Sequence, residues 1–154
     1  MTTTDLYARA ARLCSVSEHC SSQIQDKLVS WGASAEETET IIKRLVKENF
    51  IDEARFARAY CHDKFLYSHW GRIKIGQMLR HLRLGKEDIS EGLSSIQEEA
   101  YLQTLTDALR QKDRTIRDTD TYQRKGKLVR HLLSRGYEME LVIDGVDEYL
   151  SAAL

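Results

Sequence analysis

Residues 49–84 read NFIDEARFARAYCHDKFLYSHWGRIKIGQMLRHLRL, and they contain the pattern of a complete helix–break–helix unit. Asn49 suits the left-handed conformation that follows a helix, and Asp52 can cap the helix that begins after it. Trp70 and Gly71 interrupt this helix, and another begins at Arg72. We therefore predict one helix over 52–67 and an amphipathic helix from residue 72 onward.

Apolar residues at helical spacing indicate which face of each helix is buried. In the first helix one stripe is formed by Phe56, Ala59, Tyr60 and Tyr67, and we expect Phe56 to anchor the core. In the second helix the apolar face consists of Ile75, Met78, Leu79 and Leu82. The opposite face of that helix carries Lys74, Gln77 and His81.

The same stretch resembles the RecX family, bacterial regulators of the RecA recombinase. The resemblance is carried by Ile51-Asp52, Arg55-Phe56-Ala57, Tyr60, Gly71, Lys74-Ile75 and Leu79. It is fairly specific, because the order and spacing of the whole set match the family pattern. The chain departs from the pattern at Arg83, where the family usually has glycine. We expect Gly85 to supply the positive φ there instead.

The chain repeats itself when Gly32, Arg83 and Gly136 are aligned, at separations of 51 and 53 residues. Apolar residues recur before the aligned position, at Ile24, Ile75 and Leu128 and again at Leu28, Leu79 and Leu132. Four residues after the aligned position stand Glu36, Glu87 and Glu140, which suit the first turn of a helix. Each unit therefore reads as three helices, with leading helices over 5–13, 52–67 and 98–110.

The predicted fold class is all-α, because the chain contains no proline and shows no sustained alternation of period 2. Repeats of about 50 residues bury little alone, so neighbouring repeats must share surface. We predict three tandem three-helix repeats, over 1–50, 51–97 and 98–154, in an elongated, curved array. RecX proteins are similar to this description. In the connection over 111–121 helical periodicity lapses, and a flexible joint is expected there.

Composition argues against several classes of protein. No apolar run approaches the length needed to span a bilayer, the N-terminus lacks the layout of a secretory signal, and a cytoplasmic protein is expected. The three cysteines, Cys14, Cys20 and Cys61, form no metal-binding pattern and are expected to be reduced. Glycine-rich phosphate loops, paired metal-ligand motifs and nucleophile elbows are absent from the sequence. We therefore expect a protein that is not an enzyme and has no cofactor.

Positive charge is concentrated although the net charge is only −1. Residues 72–86 contain five bases and no acid, and residues 110–135 contain nine bases against three acids. In the repeat register Lys74 corresponds to Lys127, and Gln77 corresponds to Arg130. A basic face is often only solvated surface, but its repetition in two units favours an acidic partner, either DNA phosphate or an acidic protein groove.

The resemblance implies a monomeric regulator that binds the RecA–DNA filament and suppresses ATP hydrolysis, strand exchange and coprotease activity. Weak, non-specific contact with single- or double-stranded DNA is expected, and a membrane is not. The residues expected to contact RecA or DNA are Arg55, Lys64, Arg72, Lys74, Arg80, Lys125, Lys127 and Arg130. The alternatives are a helical DNA-binding transcription regulator and a generic helical scaffold. Inhibition and stimulation of RecA both remain open at this point.

Overall fold

The computed structural model of the chain describes residues 1–152, and these residues form nine α-helices and no strand. The bounds, in chain order, are α1 Thr3–Val16, α2 Ser21–Ser30, α3 Ala35–Lys47, α4 Glu53–Leu66, α5 Arg72–His81, α6 Lys86–Ser94, α7 Glu98–Asp113, α8 Thr121–Ser134 and α9 Met139–Ala152. Within this part of the chain the helices fall into three consecutive groups of three. The prediction of an all-α fold built from tandem three-helix repeats is confirmed.

The aligned residues Gly32, Arg83 and Gly136 all adopt positive φ, at 90°, 63° and 93°. At each of the three positions the next residue donates its backbone N–H to a carbonyl five residues earlier, with N–O distances of 3.0, 3.2 and 3.2 Å. This is the Schellman ending of a helix, in which a left-handed residue lets the chain reverse. Asn49 ends α3 in the same way, with φ of 63°. The repeat alignment therefore corresponds to a shared backbone geometry.

Side-chain caps explain where several helices begin. Ser34 and Glu37 form a capping box at α3, and Thr2 and Asp5 form another at α1. Asp52 accepts the backbone N–H of Arg55 at 3.0 Å and so caps α4. The aligned glutamates lie in the first turns of α3, α6 and α9, where negative charge is favoured by the helix dipole.

The described residues divide into two compact units. The first contains residues 1–59 and 79–92, and its core includes Leu6, Ala10, Cys14, Ile24, Leu28, Ile41, Leu45 and Ile51. The second contains residues 60–78 and the chain from Leu93 onward, where α7, α8 and α9 pack on one another. Each compact unit contains part of the second repeat. The repeat boundaries after residues 50 and 97 therefore stay a prediction.

Two glycines of the second unit allow two backbones to touch. A Cβ on Gly71 would lie 2.2 Å from the carbonyl carbon of Gly136 and 2.3 Å from the nitrogen of Tyr137. The Gly71 N–H donates to the Arg135 carbonyl at 2.8 Å, and the Ile73 N–H donates to the Gly136 carbonyl at 3.0 Å. The start of α5 is therefore hydrogen-bonded directly to the turn between α8 and α9.

Two details of the sequence interpretation were wrong, namely the buried stripe of α4 and the positive φ expected at Gly85. Tyr67 is 80% exposed and Ala59 is also exposed, so the predicted stripe of α4 was misplaced, although Phe56 is buried at 5% exposure. The buried face of α4 instead follows Ala57, Cys61 and Phe65 at intervals of four. Gly85 does not take the positive φ.

Arg83 takes the positive φ itself, because the left-handed residue of a Schellman ending must directly follow the last helical turn.

The connection between α7 and α8 is held at both ends by charged contacts. Asp113 accepts two hydrogen bonds from the guanidinium of Arg124, at 2.8 and 2.9 Å, and one from the Tyr149 hydroxyl at 2.6 Å. Lys127 donates to Asp118 at 2.7 Å. Helix α7 also continues to Asp113, beyond the predicted end at residue 110. A flexible joint over 111–121 stays a prediction, with these contacts opposing it.

Candidate nucleic-acid interface

The eight cations predicted to contact RecA or DNA are distributed over both compact units. Arg55 and Arg80 belong to the first unit, and the other six belong to the second. Within the second unit, Lys64 and Lys74 share an aromatic neighbour, and Lys125, Lys127 and Arg130 share α8. The structure therefore brings together part of the predicted set.

Arg55 is engaged inside its own unit. Its Nε donates to both carboxylate oxygens of Glu18, at 2.7 and 2.9 Å, and its Nη2 donates to the Asn49 carbonyl at 3.1 Å. A guanidinium is well suited to such forked contacts. Arg55 thereby ties α4 to the end of α3. A further role in binding a partner stays a prediction.

Arg72 forms the centre of a charged and aromatic cluster. Its guanidinium lies 3.8 Å from the ring centroid of Tyr101, donates to Glu98 at 2.7 Å and lies 3.5 Å from Glu138. The Tyr101 hydroxyl accepts the backbone N–H of Arg72 at 2.9 Å and donates to Glu138. Burial and the hydrogen bond to Glu138 raise the pKa of Tyr101 well above its usual value. The tyrosine is therefore a neutral donor, and Arg72 holds the start of α5 in place.

Lys64 and Lys74 both approach the indole ring of Trp70. Their Nζ atoms lie 5.0 and 4.5 Å from its centroid, within the range of cation–π attraction. Lys64 also lies 3.9 Å from the carboxylate of Asp63, whereas Lys74 forms no ion pair within residues 1–152. Trp70 therefore concentrates two positive charges at the turn before α5.

The cations of α8 differ in how they are paired. Lys125 bonds Asp147 and Lys127 bonds Asp118, each at 2.7 Å. Arg130 is exposed and forms no ion pair within the described chain, and the same is true of Arg80 on α5. Lys74, Arg80 and Arg130 are therefore the predicted contact residues whose charge no carboxylate of residues 1–152 neutralises.

Two cavities of the second unit lie beside α8. One, of about 450 Å³, is lined by Lys112, Thr115, Ile116, Lys127, Arg130 and His131. The other, of about 480 Å³, is lined by Tyr67, Ser68, His69, Trp70, Ala108, Gln111, His131 and Arg135. Among these lining residues, all in the described chain, none is acidic. Burial and the nearby cations Lys112 and Arg135 lower the pKa of His131 below its usual 6.5.

Several residues of these cavities escaped the sequence interpretation. Tyr67 was assigned to the core, and His131 and Arg135 stood outside the predicted contact set. The sequence offered one signal on the same helix as His131, namely Tyr122, which lies directly before the basic run QRKGK and is 84% exposed in the structure. An aromatic residue off the apolar face, next to basic residues, is typical of nucleic-acid surfaces.

The described chain contains no group of three or more His, Cys, Asp or Glu side chains arranged to hold a metal ion. Its three cysteines are free and buried. No helix within residues 1–152 is both long and apolar enough to cross a bilayer.

Family models for the first, second and third three-helix domains of RecX match residues 7–45, 52–93 and 98–144. The regulatory protein RecX of Ralstonia pickettii (strain 12J) is 30% identical over 152 residues, which cover 94% of this chain and 90% of the relative. RecX of Clostridium botulinum (strain Eklund 17B / Type B) is 32% identical over 134 residues, and the chain spans 62% of its length. Both relatives are thus matched across most of this chain.

Solved structures agree at the level of the fold. A crystal structure of a regulatory protein RecX superimposes with a TM-score of 0.82 at 23% identity, over 90% of this chain and 68% of the other. RecX from Lactobacillus salivarius superimposes with a TM-score of 0.83 at 16% identity, over 95% of both chains. With its three matched domains in order and a relative matched over nearly its whole length, the chain belongs to the RecX family of regulatory proteins.

Proposed function

We propose that this chain binds the RecA–DNA filament and inhibits the recombinase, its ATP hydrolysis and its coprotease activity, and so regulates DNA repair and recombination. Membership of a family of regulatory proteins supports the proposal. The observation that carries it is the unneutralised charge of Lys74, Arg80 and Arg130 on the middle helices of the second and third repeats. Cations that form no ion pair within their own chain can bind an acidic surface without first breaking one.

In this proposal the chain inhibits RecA by occupying part of the filament surface. A chain of repeated three-helix units presents similar helix faces in succession, and such faces suit a partner that is itself a repeating polymer. Contact with more than one RecA subunit, or with RecA and DNA together, would oppose the subunit rearrangements that accompany ATP hydrolysis. The chain itself needs no catalytic group for this effect, and we propose that it acts as a cytoplasmic monomer.

Sedimentation with RecA filaments tests the proposal. Filaments assembled on single-stranded DNA are pelleted with the chain, and bare DNA and RecA alone serve as controls. We expect the chain to pellet with the filament more than with either control, and less as salt rises, because exposed charges are screened. Equal recovery in all three samples would contradict filament binding. A stable dimer with preference for one short duplex would instead favour the alternative of a transcription regulator.

A further inference from the structure

Three cavities of the second unit lie next to one another along helix α8. His131 lines both cavities described above, so the cavity that holds Tyr67 and Trp70 adjoins the cavity that holds Lys112 and Arg130. A third cavity, of about 490 Å³, shares Lys127 and Arg130 with the second and continues to Tyr122. The three cavities therefore extend from Arg135, next to the end of α8, to Tyr122 in its first turn. We refer to them together as the α8 groove.

The α8 groove is predominantly positive. Its lining includes five lysine and arginine side chains, namely Lys112, Lys125, Lys127, Arg130 and Arg135. The single carboxylate among the lining residues, all of which are described, is Asp118, to which Lys127 donates at 2.7 Å. Arg135 donates to the Ser68 carbonyl, a neutral acceptor, so this bond leaves its charge uncompensated. The excess of positive charge matches a partner that carries several negative charges in a row.

Aromatic rings stand at both ends of the groove. Tyr67 is 80% exposed at one end and Tyr122 is 84% exposed at the other. Neither ring contributes to the core, so both faces of each ring are accessible to a partner. Between them lie the cations of α8. Exposed rings beside a row of cations form a surface on which unpaired bases can stack while their phosphates are neutralised.

We propose that the α8 groove binds a segment of single-stranded DNA, with bases stacked on Tyr67 and Tyr122 and phosphates bound by Lys112, Arg130 and Arg135. This inference deepens the proposed function and rests on it for the source of the strand. Helix α8 has 14 residues and is therefore about 21 Å long. That length accommodates about six nucleotides at the 3.4 Å spacing of a helical strand, and fewer when the strand is extended.

The exposed rings of Tyr67 and Tyr122 favour single-stranded DNA over other acidic partners. In a duplex the faces of the bases are covered by their neighbours, so exposed tyrosines gain little from it. An acidic protein segment would use the cations equally well, but it offers no stacked bases for both rings. A single strand uses the two rings and the cations together.

The direct test measures the affinity of the intact chain for a fluorescently labelled 12-mer of deoxythymidine, in the absence of RecA. The matched duplex is measured beside it. We expect tighter binding of the single strand. Tyr67→Ala should weaken that binding about 5- to 100-fold, in line with the loss of one stacked base. Tyr67→Phe keeps the ring and should restore affinity. Leu66→Ala, which shortens an exposed apolar neighbour on the same helix, should leave affinity within twofold of the original chain.

The charges are tested by the salt dependence of binding. Each phosphate contact with a single strand contributes about 0.7 to the slope of log affinity against log salt. Arg130→Gln and Lys112→Gln should each lower that slope by about this amount, and Tyr67→Ala should leave it unchanged. The exposed Arg12→Gln in α1, which belongs to the first unit, should change neither the slope nor the affinity.

A structural role for Tyr67 and a role in stacking give different results. Binding near Trp70 should quench its fluorescence, and Trp31→Phe leaves Trp70 as the single indole in which to observe this. Equal affinity for duplex and single strand, together with unchanged binding by Tyr67→Ala, would overturn the inference. Because this assay contains no RecA, that result would leave filament inhibition intact. If the original chain binds the oligonucleotide as expected but does not inhibit RecA, that result would contradict the proposed function alone.

Discussion

At the scale of single residues, the ends of helices define the repeat. Gly32 and Gly136 suit a left-handed conformation because glycine has no Cβ to oppose a positive φ. Arg83 could not be predicted in the same way, because arginine rarely adopts this conformation. The repeat alignment placed Arg83 at the same position as Gly32 and Gly136, and this position was the signal for its left-handed conformation. Hydrogen bonding of the Schellman ending, and not residue type, fixes the conformation at this position.

The strain at Arg83 leads to a stability prediction. A left-handed residue with a side chain costs about 1–2 kcal/mol, and glycine relieves this cost while adding about 0.4–1 kcal/mol of unfolded-state entropy. Arg83→Gly should therefore raise the free energy of unfolding by up to about 1 kcal/mol. The exposed side chain has only distant contacts, at 3.5 Å to Asp26 and to Gln25, so little else is lost.

Urea denaturation measures this change. The matched control is Arg80→Gly, the same substitution within α5, which should lower the free energy of unfolding by about 0.5–1 kcal/mol through helix propensity. Opposite signs for the two variants are the expected outcome. A loss of stability at Arg83 equal to that at Arg80 would mean that the positive φ carries no strain.

His131 gives a prediction about pH. Its folded pKa is lowered, by burial first and by Lys112 and Arg135 next, so below pH 6.5 the unfolded chain binds this proton more readily than the folded chain. The free energy of unfolding should therefore fall as the pH drops from 7 through 6.5 toward the folded pKa. Thermal melts between pH 7.5 and 5 should show this loss, and His131→Gln should reduce it. An identical pH profile for the variant would contradict the assignment.

At the scale of helices, close backbone approach explains features that periodicity did not show. The sequence predicted a break at Gly71, and a positive φ is not its cause, since Gly71 is absent from the positive-φ residues of the described chain. The cause is contact with the backbone of Gly136, about 65 residues further along the chain. Such a contact leaves no trace in local spacing. The misplaced stripe of α4 has a similar origin, because alanine and cysteine fill the tight face while tyrosine lies outside.

Gly71→Ala tests this contact. The added Cβ would lie 2.2 Å from backbone atoms, which cannot rotate away, so the two chain segments must separate. We expect the free energy of unfolding to fall by about 2–3 kcal/mol, the upper range for overpacking. At Gly126 the nearest atom to an added Cβ is the flexible end of Arg130, at 3.2 Å. Gly126→Ala should therefore be neutral or stabilising, by up to about 1 kcal/mol through helix propensity. Equal effects of the two substitutions in urea denaturation would show that the close approach is not required.

At the scale of the whole chain, the sequence predicted the helices and their grouping better than the site. Helix ends and buried columns such as Ile24, Ile75 and Leu128 depend on local chemistry that repeats, and all three are fully buried. The state of each cation depends instead on which carboxylate the fold brings near it. Arg55 and Lys127 were predicted as contact residues together with Arg130, yet the first two are paired within the chain. Sequence spacing alone does not separate a paired cation from a free one.

We propose that the chain inhibits RecA through the unneutralised cations of α5 and α8. The most direct measurement is RecA ATPase activity on single-stranded DNA, titrated with the original chain and with the triple variant Lys74→Glu, Arg80→Glu and Arg130→Glu. None of the three substitutions breaks an ion pair of residues 1–152, so each should change the free energy of unfolding by only about 0.5 kcal/mol. The matched control reverses Arg12, Lys27 and Lys47, exposed cations of the first repeat, and gives the same net charge. We predict that the original chain and the control inhibit ATP hydrolysis and that the triple variant inhibits much less, with the difference shrinking as salt rises. Equal inhibition by all three proteins would contradict the claim.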